Sequence, residues 1–207
     1  MSEARIIGHQ DSIQNTFELR SIHTAILNKP MIYIALLRGI NVGGNKKVSM
    51  KELKSVFESL EHRDVITYIN SGNVIFTDPE KNKTSLTQKI EKAIEQKFGF
   101  EVKVLVRDAK NIKKVAKAIP ASWHNDTEQR TDILFLWDEF DSKKTIELIK
   151  HNPAVDTLKY MAGAIIWNFD RRNYNKSGMH DLIGTPVYKN MTARNVNTVR
   201  KLAKLTA

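Results

Sequence analysis

The chain has 207 residues, of which 41% are hydrophobic and 27% charged, and a formal net charge of +10. It is long enough for one large domain or two small ones, and no apolar run approaches the ~18 residues a membrane span needs. It contains no cysteine, which excludes disulfides, thiolate metal sites and a cysteine nucleophile and fits a reducing cytoplasm.

Residues 1–30 show neither a sustained period nor a secretory pattern of basic end and apolar core. They read as a leader or extension outside the fold, ending in Lys29-Pro30 just before Met31. From Met31 the pattern is regular. IYIALL (32–37) is a short apolar run, predicting a buried strand. A glycine-rich stretch follows, and Ser49 with Glu52 then forms a capping box ahead of Met50, Leu53, Val56, Phe57 and Leu60 at helical spacing. VITYI and NVIF, joined by Asn70-Ser71-Gly72, predict a tight hairpin. A second helix is expected from Ser85, with Gln88 as its box partner and Leu86, Ile90, Ile94 and Phe98 on one stripe, ending at Gly99. EVKVLV (101–106) alternates as a half-buried strand. The order strand, helix, strand, strand, helix, strand is that of a ferredoxin-like βαββαβ unit.

From Asp108 a linking helix carries Ile112, Val115, Ala116 and Ile119, and Pro120 ends it. A less regular version of the same order follows: a strand at DILFLW, a helix from Ser142 through Ile149, paired strands TLKYM and AIIWNF, a helical turn near Met179 to Leu182, and a final helix starting after Thr192. The expectation is an α+β chain with a ferredoxin-like subdomain over 31–108 and a second α+β subdomain of similar topology over 109–207.

In such a unit the first and second strands run the same way, so the loop after the first strand and the hairpin after the second meet at one edge of the sheet. RGINVGGN (38–45) and Asn70-Ser71-Gly72-Asn73 are therefore expected to be neighbours. A glycine-rich loop before a helix can offer backbone N–H groups to an anion, with Lys46 and Lys47 adding charge. The stretch is neither a phosphate-binding loop nor a dinucleotide fingerprint by spacing. Its glycines and asparagines also suit an ordinary turn.

ALLRGINVGGN, TYINSGNVIF and KNMTARNVNTVRKL, in that order, resemble the bacterial family of domain of unknown function 1697. The resemblance runs from Met31 to about Leu205 and implies an α+β fold of ferredoxin-like character, with no established activity. Val196 stands where the family usually has an aromatic after Arg-Asn.

Charge is concentrated at the end of the chain: residues 171–207 carry eight Lys/Arg against one Asp/Glu. Such a segment suits an anionic partner or a solvated face. The last helix places Val196, Val199, Leu202 and Ala203 on one side and Arg194, Asn197, Arg200, Lys201 and Lys204 on the other. Arg171, Arg172 and Lys176 surround Tyr174, an arrangement able to clamp phosphates and stack bases. The strand aromatics Tyr33, Tyr68, Phe76, Phe135, Trp137 and Trp167 are expected in the core, not on a stacking platform.

Six histidines lie scattered, with no His-x-His or His-Glu-x-x-His, so neither a metal nor a cofactor is expected. Asp138, Glu139 and Asp141 cluster after a strand, as acids at a helix start do. Ser71 lacks the following helix of a nucleophile elbow. Three functions remain. One is binding of nucleic acid through Arg171, Arg172, Lys176, Arg200, Lys201 and Lys204. A second is a small phosphorylated or nucleotide-like ligand, with or without catalysis, at Arg38, Gly39, Asn41, Gly43, Gly44, Asn45, Ser71, Gly72, Asn73, Arg194 and Asn195. The third is a basic face for a protein partner. The charge distribution favours the first by a small margin, whereas the family-like motifs, concentrated in polar loops, favour the second.

Overall fold

The computed structural model describes residues 29–44 and 46–207. Residues 1–28 of the expected leader and the candidate Asn45 lie outside the described residues. The chain forms two four-stranded antiparallel sheets with the same strand order. In the first, β1 (Met31–Leu37), β2 (Arg63–Tyr68), β3 (Asn73–Asp78) and β4 (Val104–Asp108) lie in the order β2-β3-β1-β4. In the second, β5 (Gln129–Leu136), β6 (Thr157–Met161), β7 (Ala164–Asp170) and β8 (Met191–Asn195) lie in the order β6-β7-β5-β8.

Helices α1 (Met50–Ser59) and α2 (Lys83–Phe98) cover one face of the first sheet, burying Leu53, Phe57, Ile90 and Ile94 against Tyr33, Ala35, Val74 and Phe76. The Ser49 hydroxyl accepts from the Glu52 N–H, as the capping box predicts. Helix α2 begins two residues earlier than expected. Asn82, not Ser85, is its cap, because the Asn82 side chain accepts the Ser85 N–H at 3.1 Å. Gly99 ends it in the left-handed conformation, φ 77°.

The second unit departs from the expected helices. Lys143–Leu148, expected as a helix, is a 3-10 segment; the expected turn near Met179 to Leu182 is present as the 3-10 segment Gly178–Leu182, and with the one-turn α4 (Pro186–Lys189) they cover the outer face of the second sheet. A further correction concerns Met191–Asn195, where the sequence predicts a helix already under way after Thr192. It is the fourth strand, β8, hydrogen-bonded to β5.

In both units the last strand runs directly into a helix: β4 into α3 (Ala109–Ala118), and β8 into α5 (Val196–Leu205). Each junction is an N-cap. Asp108 accepts the Asn111 N–H at 2.7 Å and Asn195 accepts the Thr198 N–H at 2.9 Å. The apolar stripes of α3 (Ile112, Val115) and α5 (Val196, Val199, Leu202) meet Ile34 and Leu36 of β1 and Ile133 and Phe135 of β5 in one shared core. That core joins the two sheets. Among the described residues no helix is long and apolar enough to cross a membrane.

Candidate functional site

The first-strand loop and the hairpin of the first unit do share one edge. The Leu37 N–H donates to Gly72 O at 2.8 Å, and the Asn41 amide donates to Asn70 O at 2.8 Å and Val48 O at 3.0 Å. Asn41 also accepts the Val48 N–H at 2.8 Å, so its side chain closes the loop on itself. Gly39, Gly43 and Gly44 have positive φ, yet a Cβ at any of them would meet nothing. They supply backbone angles in an exposed loop. Gly72 differs, because a Cβ there would lie 2.7 Å from both Leu37 Cβ and Ile40 Cδ1.

Arg194 enters this edge from β8 and is 7% exposed. Its Nε donates to Asn73 Oδ1 at 2.6 Å. One terminal nitrogen donates to Thr192 Oγ1 and Ala193 O, the other to Leu37 O at 2.8 Å, Ser71 O at 3.0 Å and Gly72 O at 3.1 Å. No carboxylate is among these acceptors. Burial lowers the guanidinium pKa to about 10, so it stays charged at neutral pH. Neutral carbonyl, amide and hydroxyl oxygens solvate the cation. Ser71, Gly72, Asn73 and Arg194 thus come together, with every guanidinium nitrogen already bonded to the protein.

Arg38 makes the return connection. Its Nε donates to Met191 O at 2.9 Å, a terminal nitrogen donates to Tyr188 O at 3.0 Å, and its guanidinium lies 5.1 Å from the Tyr188 ring centre. Asn195 is the cap of α5 and keeps its oxygen for that helix. The glycine edge is therefore a seam between the two units.

The basic candidates lie elsewhere. Arg171 donates through Nε to Asp126 O and Gln129 O and through a terminal nitrogen to Asn125 Oδ1 at 3.0 Å. The Asn125 carbonyl also takes the Asn197 amide at 3.1 Å, which joins Arg171 to the start of α5. Arg172 pairs with Asp170, whose carboxyl is held at about 2 by hydrogen bonds from the Arg172 side chain and backbone. Arg200 donates to Pro120 O at 3.0 Å, and Lys176, Lys201 and Lys204 are exposed. Tyr174 is 41% exposed, its ring 5.8 Å from the Arg130 guanidinium. Of the strand aromatics, Tyr33, Phe76, Phe135 and Trp167 are fully buried, and Tyr68 and Trp137 pack partly buried against the shared core.

The sequence profile of a family described as "Protein of unknown function (DUF1697)" matches residues 31–167. The chain belongs to this family. The third motif, from Lys189 onward, lies beyond the matched segment. The solved structure of conserved bacterial protein SP0830 from Streptococcus pneumoniae is similar to this chain. It is 29% identical, with a TM-score of 0.74, and the likeness covers 86% of this chain and 100% of that one. Comparison with curated proteins gives no match.

Two features of this family member escape sequence reading. The first is Arg107, the residue of β4 that corresponds to Arg194 of β8. Arg107 pairs with Ile34 across β1 as Arg194 pairs with Ile133 across β5, and each precedes the cap of a helix. Arg107 donates to Leu136 O at the end of β5, as Arg194 donates to Leu37 O at the end of β1. The recurrence of Arg-Asp and Arg-Asn before two helices was the available signal. The second is the outer face of α3, where Lys110, Lys113, Lys114 and Lys117 are all exposed.

Proposed function

We propose that the protein binds nucleic acid, as a polyanion, across the face formed by α3 and α5. One observation carries this reading. The two helices pack together and display Lys110, Lys113, Lys114 and Lys117 beside Arg200, Lys201 and Lys204, with no Asp or Glu in either helix. Elsewhere the lysines of this chain are interleaved with acids, as in Lys54–Glu58 within α1 and Lys97–Glu52 between α2 and α1. A face kept only for solubility mixes both signs. A single-sign face raises the local potential and attracts a polyanion. Arg171 extends the face through Asn125, and Tyr174 offers an aromatic surface nearby. A small phosphorylated ligand at the glycine edge has less support, because every nitrogen of Arg194 and two of the three of Arg38 already donate within the protein.

The test is fluorescence anisotropy with a labelled single-stranded oligonucleotide over a salt series. Engagement of four to six phosphates of a single strand gives a log–log salt slope of about −3 to −4. Lys113→Ala/Lys114→Ala/Lys201→Ala/Lys204→Ala should weaken binding and flatten the slope, whereas Arg38→Ala should leave both unchanged. Absence of binding at low salt, or equal binding by the quadruple variant, refutes the proposal. The reading also places the protein in the cytoplasm, where nucleic acid is available.

A further inference from the structure

The two reciprocal arginines are not equally satisfied, and the difference coincides with a cleft. Arg194 places all its nitrogens on six acceptors. Arg107 is 5% exposed, yet it reaches only two acceptors: Leu136 O through one terminal nitrogen and Asp138 Oδ1, at 3.1 Å, through the other. Among the described residues its Nε is buried without a partner. A guanidinium has five N–H donors, and a buried donor left unpaired loses its hydration with nothing in exchange. A chain that repeats this device and fully satisfies one copy has left the other incomplete.

Arg107 lines a cleft of about 180 Å³ between the first turns of α2, the strand β4 and the segment after β5. Lys83 and Gln88 border it from α2, and Trp137, Asp138 and Glu139 close it from the second unit. The Lys83 ammonium lies 3.9 Å from Asp108 and is half exposed, so it is free to turn toward a bound group. Asp138 is 81% exposed and its hold on Arg107 is a rim contact. The lining offers two cations, Arg107 and Lys83, and two carboxylates, Asp138 and Glu139. That balance disfavours a multiply charged phosphate and matches a molecule carrying one charge of each sign. Trp137, Val104 and Val106 give the remainder of the wall an apolar character.

We propose that this cleft binds a small zwitterion of the amino-acid class. Its carboxylate takes the leftover donors of Arg107 and the Lys83 ammonium, its ammonium lies against Asp138 and Glu139, and any side chain packs on Trp137. The bound molecule supplies to Arg107 what carbonyls supply to Arg194. The site involves neither the α3/α5 face nor its lysines, so its fate is independent of the nucleic-acid proposal.

The experiment is a titration of the ¹⁵N-labelled full chain, following the Arg107 Nε–H and Trp137 indole N–H resonances by NMR. The probes are glycine, L-leucine and L-glutamine, with acetate, methylamine and inorganic phosphate as half-ligands or multiply charged controls. The zwitterions should shift both resonances at concentrations at least about tenfold below those at which acetate acts. Asp138→Asn/Glu139→Gln changes only exposed side chains. It should weaken zwitterion binding at least about tenfold and leave acetate no weaker. Absence of any shift up to an order of 10 mM, or phosphate or acetate acting as well as the zwitterions, overturns the proposal. So does a double variant that binds zwitterions unchanged.

Discussion

Arg194→Met tests the idea that a buried cation without a carboxylate holds the two units together. The substitution keeps the length and apolar stem of the side chain and removes six hydrogen bonds. Four of the abandoned acceptors are buried: Asn73 Oδ1, Thr192 Oγ1, Leu37 O and Gly72 O. Gly72 O keeps the Leu37 N–H and Leu37 O keeps the Thr192 hydroxyl, so the loss is counted in bonds to the cation: at about 1.5 kcal/mol for each of the four buried ones it is about 6 kcal/mol. Methionine avoids the desolvation of the guanidinium, which returns part of that loss. The net cost is about 3–5 kcal/mol. Arg107→Met abandons only one backbone carbonyl and an exposed carboxylate while removing the orphaned Nε, so it should cost about 1–2 kcal/mol. Urea denaturation followed by tryptophan fluorescence measures both. Equal costs for the two variants, or less than about 1 kcal/mol for Arg194→Met, would refute the account of the seam.

Two further predictions concern single residues. Asp156 is buried, which by itself raises its pKa, but hydrogen bonds from Ser177, Gly178, Asn152 and Trp167 together outweigh that and hold it below the ordinary carboxylate value. A carboxylate lowered in the folded state contributes stability that is present above its unfolded pKa, about 4, and is lost as pH falls through the folded one. Stability should therefore drop below about pH 4, and Asp156→Asn should be less stable at neutral pH with a shallower acid dependence. An unchanged pH profile in urea melts would contradict this. Gly72→Ala combines a positive φ with Cβ contacts at 2.7 Å, and should cost about 2–4 kcal/mol. Gly44→Ala, which has open space, should cost only the backbone strain of about 1 kcal/mol, and a thermal melt ranks the two.

The first unit was legible because its local signals agree. Its apolar runs alternate with capped amphipathic helices, and Asn70-Ser71-Gly72 announces a turn, so the shared edge of glycine loop and hairpin followed from topology. The second unit was harder for identifiable reasons. Met191-Thr-Ala-Arg-Asn lacks the β-branched alternation of a strand, and its arginine reads as solvent-facing when it is in fact buried against Leu37, Ser71 and Gly72. Tertiary acceptors override the local preference, and no window of sequence contains them. The 3-10 segments defeat periodicity because a helix face needs more than one or two turns to show itself. Arg107 was passed over for the same reason as Arg194's burial: both depend on carbonyls far away in the chain. Lys113 and Lys114 were visible individually, but only the packing of α3 on α5 joins them to Lys201 and Lys204.

The hydrogen bonds of the seam also bear on the order in which the molecule assembles. Arg38 and Arg194 tie together positions 153 and 157 residues apart, among the longest closures the described chain contains. Closing such a span sacrifices the freedom of everything between, and is rewarded only once both sheets present their carbonyl ends. Each half must therefore acquire its strands first, while the apolar faces destined for the shared core are still bare. During synthesis that interval lasts until β8, the last strand of the second sheet, has left the ribosome, so the nascent first half is the species most in need of protection from aggregation.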